Sequence, residues 1–280
     1  MIYNDDVIDK IKRYVESKIG KPMEPFDICK LFCRYYKSNT NKYDEYELNN
    51  RIITHSSRLI DHMKKLIQYI YNYGKNVYDI KDIEILYTSI CLHDIGKVHS
   101  KTNHPMYSGI ISKYLIDNKY VDFKYIEPTN DDINLILEAI TLHGDKKNMD
   151  GVSNITKILR DVDTLDEICG EPLVQLALTN QKSKNRKKEI KDMNLNKIDY
   201  SISDAVMEFY TGEKCMRKVI SKLNDPISEI YYRDQIKYAK DLYTKTTANT
   251  RVDYMISMKE LVNEIEDSNW FKQYLEIIID

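Results

Sequence analysis

The stretch IKDIEILYTSICLHDIGK, Ile80 to Lys97, decides how the fold is read. Ile83, Leu86, Tyr87 and Ile90 recur at three- and four-residue spacing, the stripe of a helix with one buried face. Asp79 stands where an N-cap belongs. Continued by one turn at about 100° per residue, the helix puts Asp94 in the middle of the stripe and His93 at its side. A carboxylate aimed at a core is costly unless something positive meets it. A metal ion is one such partner.

Outward from this helix the same 3.6-residue period recurs. Amphipathic segments are expected over Asp5–Ile19, ending at Gly20, and over Pro25–Lys37. Ser38–Glu45 is polar and reads as a connector. A long helix is expected over Tyr46–Tyr73, stopped by Gly74. Asn103 followed by Pro105 opens another, running to about Leu115. Thr129 caps one that carries Asp131 and Asp132 in its first turn and stops at Gly144. Ser153–Ile168 follows. Only 8 glycines and 6 prolines punctuate the 280 residues, which favours helices joined by short loops. The expectation is an all-α, multi-helix bundle: a core over residues 46–170, a helical extension over 1–45, and a helical region over 171–280 packing on the core.

The bulk composition narrows the function classes. Hydrophobic residues are 42% and charged residues 31%, the balance of a globular domain with a real core. A formal net charge of -2 gives no global basic field, so nucleic acid is disfavoured as a general partner. The five cysteines have no paired redox spacing and read as reduced thiols; Cys29 and Cys33 share a helix face. Met1 to Lys12 is charged and lacks the apolar segment of a signal peptide. No run approaches the roughly 18 apolar residues of a membrane span. The reading is a cytoplasmic protein without a membrane partner. The 23 tyrosines reflect compositional bias, and the basic run Gln181–Lys191 reads as a solvated face.

The six histidines are His55, His62, His93, His99, His104 and His143. In the long helix, Ile52, Leu59, Ile60, Met63, Leu66 and Ile67 form the buried arc, with His55 at its edge and Arg58 on the adjoining polar side. Ile133, Ile136 and Ile140 define an inward line that His143 continues. Ile155, Leu159 and Val162 face in further on; Asp163 and Asp166 share their side, whereas Asp161 points away and Arg160 reads as a surface residue. A lone histidine on a helix edge is ordinarily just a hydrogen-bonded side chain, and His62 and His99 are read so. Coincidence changes the weight. Four helices each bring a His or Asp to the core-facing side, and imidazole and carboxylate are the ligands of Mn, Fe, Ni, Co or Zn.

His93-Asp94-Ile95-Gly96-Lys97 resembles the HDIGK motif of the HD-domain superfamily of metal-dependent phosphohydrolases. Thr54-His55-Ser56-Ser57-Arg58-Leu59 resembles the family's opening helix. His104-Pro105-Met106-Tyr107-Ser108-Gly109, Ala139-Ile140-Thr141-Leu142-His143-Gly144 and the segment Leu159 to Asp166 resemble its later segments in the same order. The resemblance covers roughly residues 50 to 170. It implies that His55, His93, Asp94 and Asp163 hold a first divalent ion. It implies that His104 and His143 hold a second, with Asp94 bridging. Lys97 would offer a point charge to phosphate, and Arg58 a bidentate contact. The branches with this ligand set cleave diadenosine tetraphosphate, cyclic-di-GMP or nucleic acid. The paired-histidine and G-Y-P segments of the cyclic-di-GMP branch are replaced here by His143-Gly144-Asp145 and Asp150-Gly151-Val152.

The implied activity is hydrolysis of a phosphomonoester, diester or anhydride of a small, nucleotide-like substrate, using one or two divalent ions (Mn, Fe, Ni, Co, Zn or Mg) that generate hydroxide and neutralise phosphoryl charge. The alternatives are a cyclic-dinucleotide phosphodiesterase or nuclease on the same site, a non-catalytic nucleotide sensor, and a di-iron oxygenase. The helical extensions have three open roles: a lid, a homodimer interface or a partner surface.

Overall fold

The computed structural model describes residues 5–39, 45–74, 78–98, 100, 102–144, 151–166, 168–178 and 200–248. These residues form α1 (Asp5–Lys18), α2 (Pro25–Asn39), α3 (Glu45–Asn72), α4 (Ile80–Leu92), a 3-10 turn (Ile95–Val98), α5 (His104–Asp117), α6 (Asn130–Leu142), α7 (Asn154–Leu165), α8 (Gly170–Leu178), α9 (Tyr200–Thr211), α10 (Glu213–Ile220) and α11 (Pro226–Ala248). No strand occurs among them; the extended pairing present is a single parallel bridge between Met23 and Val121. No helix among the described residues is long and apolar enough to cross a membrane. The all-α expectation holds.

The chain divides into two compact units. One comprises Met1–Met63 and Asn76–Arg160, the other Lys64–Lys75 and Asp161–Asp280. In the first unit α4 is the central element, packed by α2 and α6. Every residue of α4 from Ile83 onward is buried, so it has no solvent face. Such a helix is held by neighbours on all sides, and its register is set by packing rather than by amphipathicity. Its start is local: Asp79 accepts a hydrogen bond from the Asp82 amide at 2.8 Å, the N-cap expected from sequence. Glu84, buried on α4, accepts from the backbone amides of Lys124 (2.5 Å) and Tyr125 (3.0 Å) and so ties down the connection between α5 and α6. Burial pushes its carboxyl up, and those amides oppose the shift.

α6 begins with a capping box between Thr129 and Asp132, as the sequence indicates, and Lys81 pairs with Asp132 at 2.8 Å. α5 packs against both α6 and the 3-10 turn. The four cysteines Cys29, Cys33, Cys91 and Cys169 are buried free thiols.

In the second unit α8 packs on α9 and α11. Tyr231 and Tyr232 of α11 are fully buried, and Tyr69 of α3 meets the Tyr231 ring edge-on at 5.3 Å. Asp161 is buried in this unit, contrary to the outward direction its helix phase suggests. It accepts from the Asn224 amide (2.8 Å), the Asn224 side chain (2.5 Å), the Asp225 amide (3.0 Å) and Ser228 Oγ (2.6 Å). At Asp161 the side of α7 opposite Leu159 is therefore not a solvent face: the start of α11 covers that residue. Phase along one helix names an apolar side but cannot say that the other side is wet.

Candidate metal centre

Two histidines terminate two helices in the same way. His93 is the C-cap of α4 and His143 the C-cap of α6, both in right-handed helical conformation. In each, Nδ1 lies 2.7 Å from the carbonyl oxygen three residues back, Ile90 for His93 and Ile140 for His143. A carbonyl only accepts, so Nδ1 must carry the proton, and in the neutral ring Nε2 then presents a lone pair. The local sequence repeats too: Ile-Cys-Leu-His over 90–93 and Ile-Thr-Leu-His over 140–143. Both side chains are buried, His93 completely. The last turn of each helix thus does what outer-shell carbonyls do in metalloproteins, fixing the ring and its tautomer.

The other nitrogens converge. His55 Nε2 is 3.3 Å from His93 Nε2, and His104 Nε2 is 3.1 Å from His143 Nε2. Asp94 lies between these pairs. Its Oδ2 is 3.6 Å from both His55 Nε2 and His93 Nε2, and its Oδ1 is 3.1 Å from His104 Nε2. Oδ2 therefore faces His55 and His93, and Oδ1 faces His104. Asp94 is 1% exposed, and its Oδ1 makes no hydrogen bond of acceptable geometry despite the nearby ring. Burial alone would raise its carboxyl, but His93 in its protonated form, the proximity of His104, the Lys97 ammonium and His55 outweigh that and hold it well below the usual aspartate range.

This donor set fits a divalent cation. The Nε2 lone pairs of His93 and His143 need a proton or a cation opposite them at 3.1–3.3 Å, and a buried carboxylate oxygen without a hydrogen bond is a further ligand for such an ion. His93, Asp94 and His143 alone offer three buried ligand atoms within 4.8 Å of one another. Imidazole with carboxylate suits Mn, Fe, Co, Ni or Zn.

The turn after Asp94 is built to bring α5 close. The helix reading placed Asp94 by continuing α4, whereas α4 stops at Leu92 and a 3-10 turn begins at Ile95. The Gly96 amide donates to Ser108 Oγ at 2.8 Å. A Cβ on Gly96 would collide with the His104 carbonyl oxygen and lie 2.5 Å from the Ser108 amide nitrogen. Glycine is thus required by the approach of α5, whose first residue is His104.

Lys97 is a third exposed and places its Nζ on Asp94 Oδ2. Arg58 is half-buried on α3, almost one turn beyond His55. Asp163 is half-buried in the last turn of α7 and belongs to the second unit. Arg160, expected at the surface, is 1% exposed, with Nε donating to the Leu142 carbonyl at 3.0 Å. His62 is buried on α3. His99 and the run 181–191 lie outside the described residues. Sequence reasoning missed Ser108 and the Ile90 and Ile140 carbonyls; the repeated Ile-x-Leu-His segments were the signal for the latter.

A family model described as HD domain matches residues 52–206. No curated protein matches the chain, and no solved structure does. The match begins just before His55 and continues past Asp166 into α9.

Proposed function

The chain belongs to the HD-domain family, and from that premise we propose that its histidine–aspartate cluster hydrolyses a phosphate ester or anhydride bond of a small, nucleotide-like compound. The family is one of metal-dependent phosphohydrolases. The observation that carries the reading is the carboxylate of Asp94 set among four imidazoles, with Oδ2 toward His55 and His93 and Oδ1 toward His104, beside which His143 stands. This arrangement supports a site for two ions to which Asp94 would be common.

His55 and His93 would hold one ion, His104 and His143 the second, with Asp94 common to both. Asp163 is added as a ligand of the first ion on the sequence resemblance. When bound, such ions supply a Lewis acid and a water of near-neutral pKa. The chain contributes orientation. Helix-end carbonyls hold His93 and His143 as Nε2 ligands, which keeps the protons on Nδ1 and away from the centre. Lys97 neutralises Asp94 and, being partly exposed, can swing its ammonium to an incoming phosphoryl oxygen. Arg58 offers a planar fork for a second oxygen. The net charge of -2 favours a small substrate over nucleic acid.

The test is metal content by plasma mass spectrometry on protein purified without chelator, with His93→Ala and Asp94→Ala alongside. A nucleotide screen with added Mn, Fe and Mg follows. One or two equivalents in the wild type, lost together with turnover in both variants, is expected. Full metal and activity in either variant would sink the reading. Nucleotide binding without turnover or metal would make the protein a sensor instead.

A further inference from the structure

The most unusual charged group outside the ligand set is Arg160. It is among the largest fully buried side chains of the protein. Burying a guanidinium is expensive and persists only where the group has fixed partners. Its Nε donates to the carbonyl oxygen of Leu142, the last residue of α6. That carbonyl is one of the four at a helix end that have no partner within the helix. A cation is favoured there by the helix dipole as well. The residue after Leu142 is His143.

A second contact joins the same two helices. Glu138, one turn before Leu142 on α6, accepts from the Ser153 amide (2.8 Å) and Thr156 Oγ1 (2.6 Å), and so holds the first turn of α7. Its carboxyl is held low: burial opposes this, but the bonds from Thr156 and Ser153 and the charge of Arg160 prevail. Glu138 and Arg160 thus form a reciprocal latch, with an acid from α6 on the start of α7 and a base from α7 on the end of α6. Every group in it belongs to the first compact unit.

The last turn of α6 needs such a latch. Gly144 follows His143 directly, so no further helical turn restrains the ring. The Ile140 carbonyl orients His143 about its side-chain bonds, but a frayed helix end would carry both away together. Arg160 anchors the peptide between them. We propose that Arg160 is a positioning residue for His143, holding the end of α6 so that His143 Nε2 faces His104 Nε2 at the second half of the centre. The proposal rests on the reading of His143 as a metal ligand.

The test uses the full-length protein with Arg160→Met and Arg160→Lys. Metal-stripped protein is titrated with Mn by calorimetry, and histidine ring nitrogens are followed by NMR in the stripped state. Arg160→Met is expected to weaken the second Mn site 10- to 100-fold, the range for loss of an outer-shell partner, and to leave the first within about twofold. Its ring signals for His143 and His104 should move while those of His55 and His93 stay. Arg160→Lys, which keeps the charge but not the planar fork, should fall between, and it decides the matter if Arg160→Met does not fold. Two Mn sites of unchanged affinity and unmoved His143 signals in the folded variants would overturn the latch alone. A wild type that takes no second ion overturns the two-ion reading, and the His143 signals then judge the positioning role by themselves.

Discussion

Replacing Gly96 with alanine should break the centre from a distance. The added methyl would lie 2.5 Å from the Ser108 amide nitrogen and 2.8 Å from Ser108 Oγ, with the His104 carbonyl oxygen also in conflict. Ordinary contact begins at 3.4 Å, so the nearer of those two atoms must retreat by roughly 0.9 Å (3.4 less 2.5). Two of the obstructing atoms are backbone, so no side-chain rotation relieves the clash. α5 must move away from the turn. That movement costs about 1–3 kcal/mol as overpacking and about 1 kcal/mol more for the Gly96–Ser108 hydrogen bond. The expected loss is therefore about 2–4 kcal/mol. α5 begins at His104, so the His104–Asp94 approach of 3.1 Å opens at the same time. Urea unfolding followed by circular dichroism gives the stability change, and Mn titration gives the affinity of the His104–His143 half. A variant within 0.5 kcal/mol of wild type, binding two ions normally, would refute the close-packing argument.

Other outcomes follow from buried carboxylates. Asp94 is held below its unfolded value of about 3.9, so its pairing stabilises the fold fully above about pH 4 and is lost as pH falls through the folded value. In chelated protein, Asp94→Asn should therefore flatten the acid limb of a stability–pH curve; an unchanged limb would mean that Asp94 contributes nothing there. Asp161→Ala removes the acceptor for two backbone amides and the Ser228 hydroxyl at the start of α11. A loss of about 2–5 kcal/mol is expected, read by thermal or urea unfolding, whereas a surface aspartate would cost less than about 0.5 kcal/mol.

The sequence alone determined the helices, because their signals are short-range. The extent of α4, the Asp79 cap and the Thr129 cap depend on residues within one or two turns, and all stand where their spacing put them, although α4 is buried on every side rather than along one stripe. The order of histidines and aspartates was equally legible, since burying His93, Asp94 and His143 makes chemical sense only if they meet. What surrounds a helix on its other side depends on chain far away in sequence. Asp161 is buried by residues more than sixty positions distant, and Arg160 by the end of α6. The pairing of Lys97 with Asp94 spans only three residues, yet it required the 3-10 turn that replaces a continued α4. Tertiary structure alone decided which Asp94 oxygen faces which imidazole and why residue 96 must be glycine. Both are matters of tenths of an ångström between α4, the turn and α5, and no periodicity in the chain encodes them.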